Sequence, residues 1–367
     1  MRPVLAPGDR LVVKIGTTSL VGPIGQVDEA RFDDLCDEVA AARATGIEVV
    51  LVSSGAIAAG VGPLRMKNRP ADIPSLQAAA AVGQGLLFEI YARKLASRGL
   101  VSAQILLTRY DFMQRQQYLN ARNTLNRLLA LGAIPIVNEN DTVAVDEIRF
   151  GDNDRLAALV GNLTSAKLLL LLTDAQGFHA EDPRTNPDAP LLSEVDRITP
   201  ELERAAGGRG SEFSSGGMAS KIAAAWVATF SGVGVIVGDA SAPGVVGRSI
   251  AGEEIGTFFH PHPTRLSARR LWIAFGQPPQ GTVTVDDGAR SAVVDDHRSL
   301  LAIGVTGATG TFSEGSVVDI ATADGLVFAR GLSRYSSSEL EAAKGRRSTE
   351  PAQREVVHRD QLVILLR

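Results

Sequence analysis

The chain holds 367 residues, 45% of them hydrophobic and 21% charged, with 37 basic side chains against 41 acidic ones. That much apolar material can bury a core without staples, and one cysteine, Cys36, excludes an intramolecular disulfide and any cysteine-rich zinc site. The acidic balance argues against a DNA-coating protein, the aliphatic run at 168–172 is far short of the roughly 18 residues of a membrane span, and the opening MRPVLAPGDR lacks the apolar stretch of a signal peptide.

Strand and helix patterns alternate through the first two thirds. Residues 11–15 read as a strand, 28–44 as a helix with Phe32, Leu35 and Val39 on one face, and 47–52 as a second strand. There follow a long helix over 75–95, a strand over 101–107, a helix over 119–131, a strand over 134–137, a helix over 153–162 and a strand over 167–173. A helix over 217–230 and a strand over 233–237 complete the series. The apolar runs are continuous rather than alternating, as in strands buried on both faces, and the alternation with helices makes the sheet mostly parallel. The expectation is a three-layer αβα sandwich over residues 1–260.

FFHPHPTRLS, at 258–267, breaks every periodicity. Residues 261–276 read as a linker. Beyond it short β-rich pieces at 281–285, 299–303, 316–320 and 327–332 form a small β-rich domain over 277–356, with 357–367 as a tail.

Neither the P-loop spacing nor the dinucleotide-binding glycine fingerprint is present. His260 and His262 stand two apart between prolines, which suits a linker better than a metal. Several polar turns do fall at strand ends. In VVKIGTTSL, Lys14 interrupts an apolar strand, which is costly unless it meets an anion, and Gly16 opens a turn able to aim N–H groups at phosphate. An edge-strand lysine is the plainer alternative. SSGAIAAG sets Ser54 and Gly55 at a strand-to-helix junction, where a capping serine is common. NENDTV gathers Asn138 and Asp141 at one strand end, suited to a zwitterionic ligand or to an Asx-rich turn. GDND places Asn153 and Asp154, after Asp152, before an apolar helix, as a helix cap also would. Thr173 and Asp174 end the most apolar strand, where open α/β sheets bind ligands. SSGGMASK opens a helix with Lys221 in its first turn.

These stretches, with LLTRYDFMQRQQYLNARNTL, DPRTNP and GLSRYSSSEL, resemble the glutamate 5-kinases of the amino acid kinase family, which commonly carry a C-terminal PUA domain. The resemblance spans nearly the whole chain. It implies the amino acid kinase fold with a PUA-like domain, and ATP-dependent phosphorylation of the γ-carboxylate of L-glutamate in proline biosynthesis. Lys14, Lys221 and Asp154 would be catalytic, and Ser54, Gly55, Asn138, Asp141 and Asn153 would hold glutamate. Lys14, Gly16, Thr173, Asp174, Ser215, Gly216, Gly217, Met218, Ala219, Ser220 and Lys221 would hold ATP, with Mg²⁺ on the phosphates rather than on protein ligands. It further implies proline as feedback inhibitor, a homo-oligomer (dimer or tetramer), a glutamyl phosphate reductase as partner, a cytoplasmic location and no membrane.

One departure stands out. Ser214-Ser215 occupies the place where the family has Gly-Thr, which weakens the assignment of Ser215. Two other readings compete. PUA modules often bind RNA, but from residue 266 onward twelve basic and twelve acidic residues leave no basic footprint. A sister kinase acting on another carboxylate or carbamate would share the fold, and NEND followed by GDND argues against it.

Overall fold

Strands that are apolar on both faces need helices on both sides. In the computed structural model, residues 1–22, 26–143, 153–181, 186, 188–206, 217–263, 265–275, 279–346 and 354–365 are described. The chain divides into two units, Met1–Arg265 and Leu266–Arg367.

The first unit opens with β1 (Arg10–Ile15), α1 (Glu29–Ala44), β2 (Glu48–Val52), α2 (Ala56–Val61), α3 (Ile73–Ala96) and β3 (Ser102–Leu107). It continues with α4 (Arg109–Met113), α5 (Arg115–Ala130), β4 (Ile134–Glu139), α6 (Asp154–Thr164), β5 (Leu168–Thr173) and β6 (Glu194–Val195). It ends with α7 (Pro200–Ala205), α8 (Met218–Phe230), β7 (Gly234–Asp239), α9 (Val245–Ile250) and β8 (Thr257–Phe259). The sheet order is β3-β4-β2-β1-β5-β7-β8-β6. Every pair from β3 to β7 is parallel, and β8 runs antiparallel to β7. Helices α1, α2, α3 and α9 pack as one group and α5, α6 and α8 as another. This is the αβα sandwich read from the sequence.

Local chemistry starts the helices. Asp28 accepts from the amides of Ala30 and Arg31 at 3.1 and 3.2 Å, and Asp72 accepts from Ser75 at 2.9 Å with Pro74 in the first turn. Fully buried Phe32 and Tyr91 join α1 to α3 edge-to-face at 4.7 Å. Cys36 lies in the same buried layer, and desolvation pushes its thiol up to about 12. Iodoacetamide near neutral pH should therefore leave the native protein unmodified and alkylate it at this one site after denaturation. Mass spectrometry checks this, and native labelling at the rate of a free thiol would show that α1 does not seal that face.

The second unit carries α10 (Ala268–Phe275), β9 (Gly281–Val285), α11 (Asp287–Val294), β10 (Val305–Gly310), β11 (Val317–Ala321), β12 (Val327–Leu332), α12 (Ser337–Ala343) and β13 (Leu362–Ile364). Its sheet runs β10-β9-β11-β12-β13 around buried Val283, Ile320, Phe328 and Leu340.

Several sequence expectations change here. Residues 299–303 are not a strand. Leu300 makes an isolated bridge to Val357 and a 3-10 turn covers Ala302–Gly304. Buried Leu300 and Ala302 alternate with exposed Leu301 and Ile303, which imitates the period of a strand. The stretch read as a linker holds α10, packed against β12 and β13, and the stretch read as a tail holds β13, paired with β12. Phe258 and Phe259 belong to β8, so the irregular stretch starts after them. No helix among the described residues is long and apolar enough to cross a membrane.

Candidate active site

Lys14 lies on β1, hydrogen-bonded on both sides to β2 and β5, and only 1% of it is exposed. An edge position is thereby ruled out. A buried ammonium group needs a partner, and Nζ sits 2.6 Å from Oδ1 of Asp154. Asp154 is the first residue of α6 and wholly buried. Its other oxygen, Oδ2, takes Nζ of Lys221 at 3.1 Å and the hydroxyl of Ser220 at 3.0 Å. One carboxylate thus fixes two lysines, one from the central strand and one from the first turn of α8. That turn begins at Gly217, which caps nothing with a side chain, so the amides of Met218 and Ala219 sit at an uncapped N-terminus suited to an anion. Charge and amides converge on a site for a polyanion.

A second cluster adjoins the first through Asn153. Asparagine in front of a helix commonly caps it, yet Asn153 makes no cap bond to α6. Its Nδ2 instead donates to the carbonyl of Ser53 and to Oδ1 of Asn138, each at 2.5 Å. The amide of Glu139 also donates to Oδ1 of Asn138, at 2.9 Å, and Nδ2 of Asn138 donates to Oε1 of Gln84 on α3. Ser54 does not cap α2 either. Its buried Oγ has no hydrogen-bond partner among the described residues, which leaves it available to a ligand. Gly55 opens α2 at φ 97°, where a Cβ would meet Thr17 Cγ2 and Val21 Cγ2 at 3.2 Å each, so the backbone requires glycine.

The other expected residues are placed as follows. The Gly16 amide donates to Leu172 O at 3.3 Å, extending the ladder to β5, and Thr17 and Thr18 open the 3-10 turn that follows. Asp141 is half-buried in the turn after β4, where Oδ1 of Asn140 accepts from Thr142 Oγ1 at 2.5 Å and the amide of Val143 donates to Asn140 O at 3.2 Å. Thr173 Oγ1 donates to Asp174 at 3.0 Å, and both line a cleft of about 710 Å³ at the ends of β1, β5 and β7, together with Thr18, Asp28 and Asp239. Lys14 and Lys221 do not line that cleft. Ser214, Ser215, Gly216 and Asp152 lie outside the described residues.

Sequence reasoning missed Gln84. Its one signal was local: Gly83 and Gly85 flank it inside a long helix, where glycine is unfavourable without a packing reason. Gly83 has that reason, since a Cβ there would lie 1.8 Å from the carbonyl oxygen of Ala56 on α2.

A mostly parallel sheet with a lysine pair at its carboxyl edge defines a phosphotransferase of the amino acid kinase class, and the amino acid kinase family model matches residues 9–239. The PUA domain model matches residues 281–354. The glutamate 5-kinase of Trichlorobacter lovleyi is 48% identical over 363 residues, covering 97% of this chain and 96% of the relative. Those of Pelobacter propionicus (47%, covering 97% of each chain) and Gloeobacter violaceus (48%, covering 97% of this chain and 99% of the relative) are similar to the same extent. The chain belongs to the glutamate 5-kinase family.

Proposed function

We propose that this enzyme transfers the γ-phosphoryl group of ATP to the γ-carboxylate of L-glutamate, giving L-glutamyl 5-phosphate and ADP, the first step of proline biosynthesis. The observation that carries the reading is the buried Lys14–Asp154–Lys221 cluster beside the amide chain of Asn153 and Asn138. The acceptor is ionised at neutral pH, since a glutamate side chain titrates near ~4.3, so no general base is needed. A carboxylate oxygen forms the new bond to phosphorus, and the bond to the β,γ-bridging oxygen breaks with its electron pair leaving on ADP. The barrier is repulsion between two anions and charge on the moving group, and two fixed ammonium groups answer it. Asp154 is the positioning residue for both. Mg²⁺ carried on the phosphates supplies further positive charge. Ser54, Gly55, Asn138, Asp141 and Asn153 hold glutamate, Asp141 as acceptor for its ammonium group. The amides of Met218 and Ala219 meet the phosphates, and the cleft beside Thr173 and Asp174 takes the nucleoside. The acidic lining of that cleft disfavours phosphate.

Purified protein with ATP and Mg²⁺ should release ADP with L-glutamate and not with N-acetyl-L-glutamate, L-aspartate or UMP. Turnover with another acceptor would keep the phosphoryl chemistry and overturn the substrate. Proline shares the α-amino-acid frame of glutamate, so it should raise the apparent KM for glutamate. Saturation curves that do not move with millimolar proline would dismiss that feedback. The same reading gives a cytoplasmic homo-oligomer that passes its cyclisation-prone product to a reductase. Light scattering and co-purification test those two associations, and fractionation of cells tests the location.

A further inference from the structure

The amide chain of the site has a direction, and two backbone groups set it. A carbonyl can only accept, so the bond to Ser53 O fixes Nδ2 of Asn153 on that side. An amide can only donate, so the bond from Glu139 N fixes Oδ1 of Asn138. Asn153 Nδ2 reaches Asn138 Oδ1 in agreement with both, and Asn138 Nδ2 is left to point at Gln84. Gln84 must therefore present Oε1 to Asn138 and turn Nε2 the other way. Gln84 is partly exposed, and Nε2 has no partner among the described residues.

The same accounting decides what the site offers a ligand. Both side-chain N–H groups of Asn153 are spent on Ser53 and Asn138, so toward a ligand the Asn153 side chain is an acceptor only. Asp141 is an acceptor as well. Acceptors suit the ammonium group of an amino acid, and its α-carboxylate needs donors. The γ-carboxylate belongs beside the lysines, so the α-end lies along the row from Asp154 through Asn153 and Asn138 to Gln84. The backbone of α3 is set hard against α2 at Gly83, immediately before Gln84, and α2 begins after Ser54-Gly55.

We infer that Gln84 is a specificity-determining residue of the substrate pocket, its Nε2 group donating to the α-carboxylate of the amino-acid substrate; this rests on the function proposed above. The test uses the full chain and the variants Gln84→Glu and Gln84→Met, with L-glutamate and its α-amide as alternative acceptors. Glu keeps an acceptor for Asn138 but sets a negative charge where the donor stood. Gln84→Glu should raise KM for L-glutamate by about 30- to 100-fold, and Gln84→Met by about tenfold, with kcat falling less than KM rises. Preference for L-glutamate over the α-amide, as a ratio of kcat/KM, should drop at least about tenfold in Gln84→Glu. A residue that only positioned Asn138 would behave otherwise: Gln84→Glu would restore the wild-type KM and leave the preference ratio unchanged. That result overturns the inference while wild-type turnover on glutamate stands. Wild-type protein that does not phosphorylate glutamate overturns the proposed function, and the inference with it. Thermal melts of both variants check that the fold is retained.

Discussion

Lys221→Met should lower kcat by about 10²- to 10³-fold, and Lys14→Met by a similar factor, while KM for L-glutamate changes by less than about tenfold. Methionine keeps the length of the stem and removes the charge. The charge matters most when the phosphoryl group is between donor and acceptor, which is why the loss belongs in kcat. The variants should also stay folded, because Asp154 keeps the other lysine in each. Asp154→Asn is a different case: it withdraws the carboxylate that both buried lysines bind, and breaking a buried pair from that side costs about 3–5 kcal/mol. It should therefore lose both activity and several degrees of Tm. The two lysine losses should not add in the double variant, since both act on one group in one step. ADP-release kinetics beside thermal melts separate these effects. A near-wild-type kcat for Lys221→Met in a folded protein would remove the lysine pair from the chemistry.

Much of this site was legible because its residues look out of place. Lys14 is a cation inside VVKI, costly there unless it meets an anion; the edge-strand alternative falls only with the pairing of β1 to β2 and β5. Asn153 and Asp154 were ambiguous, because a helix cap and a ligand site use the same residue types. Only the direction of the Asn153 side chain separates them, and it turns to Ser53 and Asn138 rather than to α6. That direction is a three-dimensional fact. Gln84 was missed for the same reason: its partner Asn138 lies on β4, 54 positions away.

The fold shows the same division. Long apolar runs announced the strands of the first sheet, since burial on both faces leaves no other composition. The short helices were lost among turns. Helix α12 had a readable signal, for Ser336 and Glu339 form a capping box whose hydroxyl accepts from the Glu339 amide at 3.3 Å. Helix α2 was signalled only by the strand-to-helix junction in SSGAIAAG, because AIAAGV contains no amphipathic period and a glycine reads as a breaker.

That glycine and its counterpart on α3 give a second large expected effect on stability. A Cβ on Gly83 would lie 1.8 Å from Ala56 O and 2.6 Å from Gly60 N, and a Cβ on Gly60 would lie 1.9 Å from Ala79 O. All three obstacles are backbone, so no side chain can rotate aside and the helices must part. Gly83→Ala should cost about 3 kcal/mol or more, the upper end of overpacking, and lower Tm by roughly 6–12 °C for a unit of this size. Two residues further along the same helix, Gly85 has nothing within 4 Å of its Cβ position. Gly85→Ala relieves the entropic penalty of a helical glycine and should raise stability by about 0.5–1 kcal/mol. The Gly60→Ala, Gly83→Ala double variant should cost less than the sum, because one separation of α2 from α3 accommodates both methyl groups. That separation also moves Ser54-Gly55 against Gln84, so KM for glutamate should rise in Gly83→Ala and stay unchanged in Gly85→Ala. Calorimetry and steady-state kinetics on the two single variants decide the matter. Melting shifts of the same sign would mean that α2 and α3 are not in backbone contact at Gly83, and an unchanged KM in Gly83→Ala would mean that this contact does not hold Ser54-Gly55 in place.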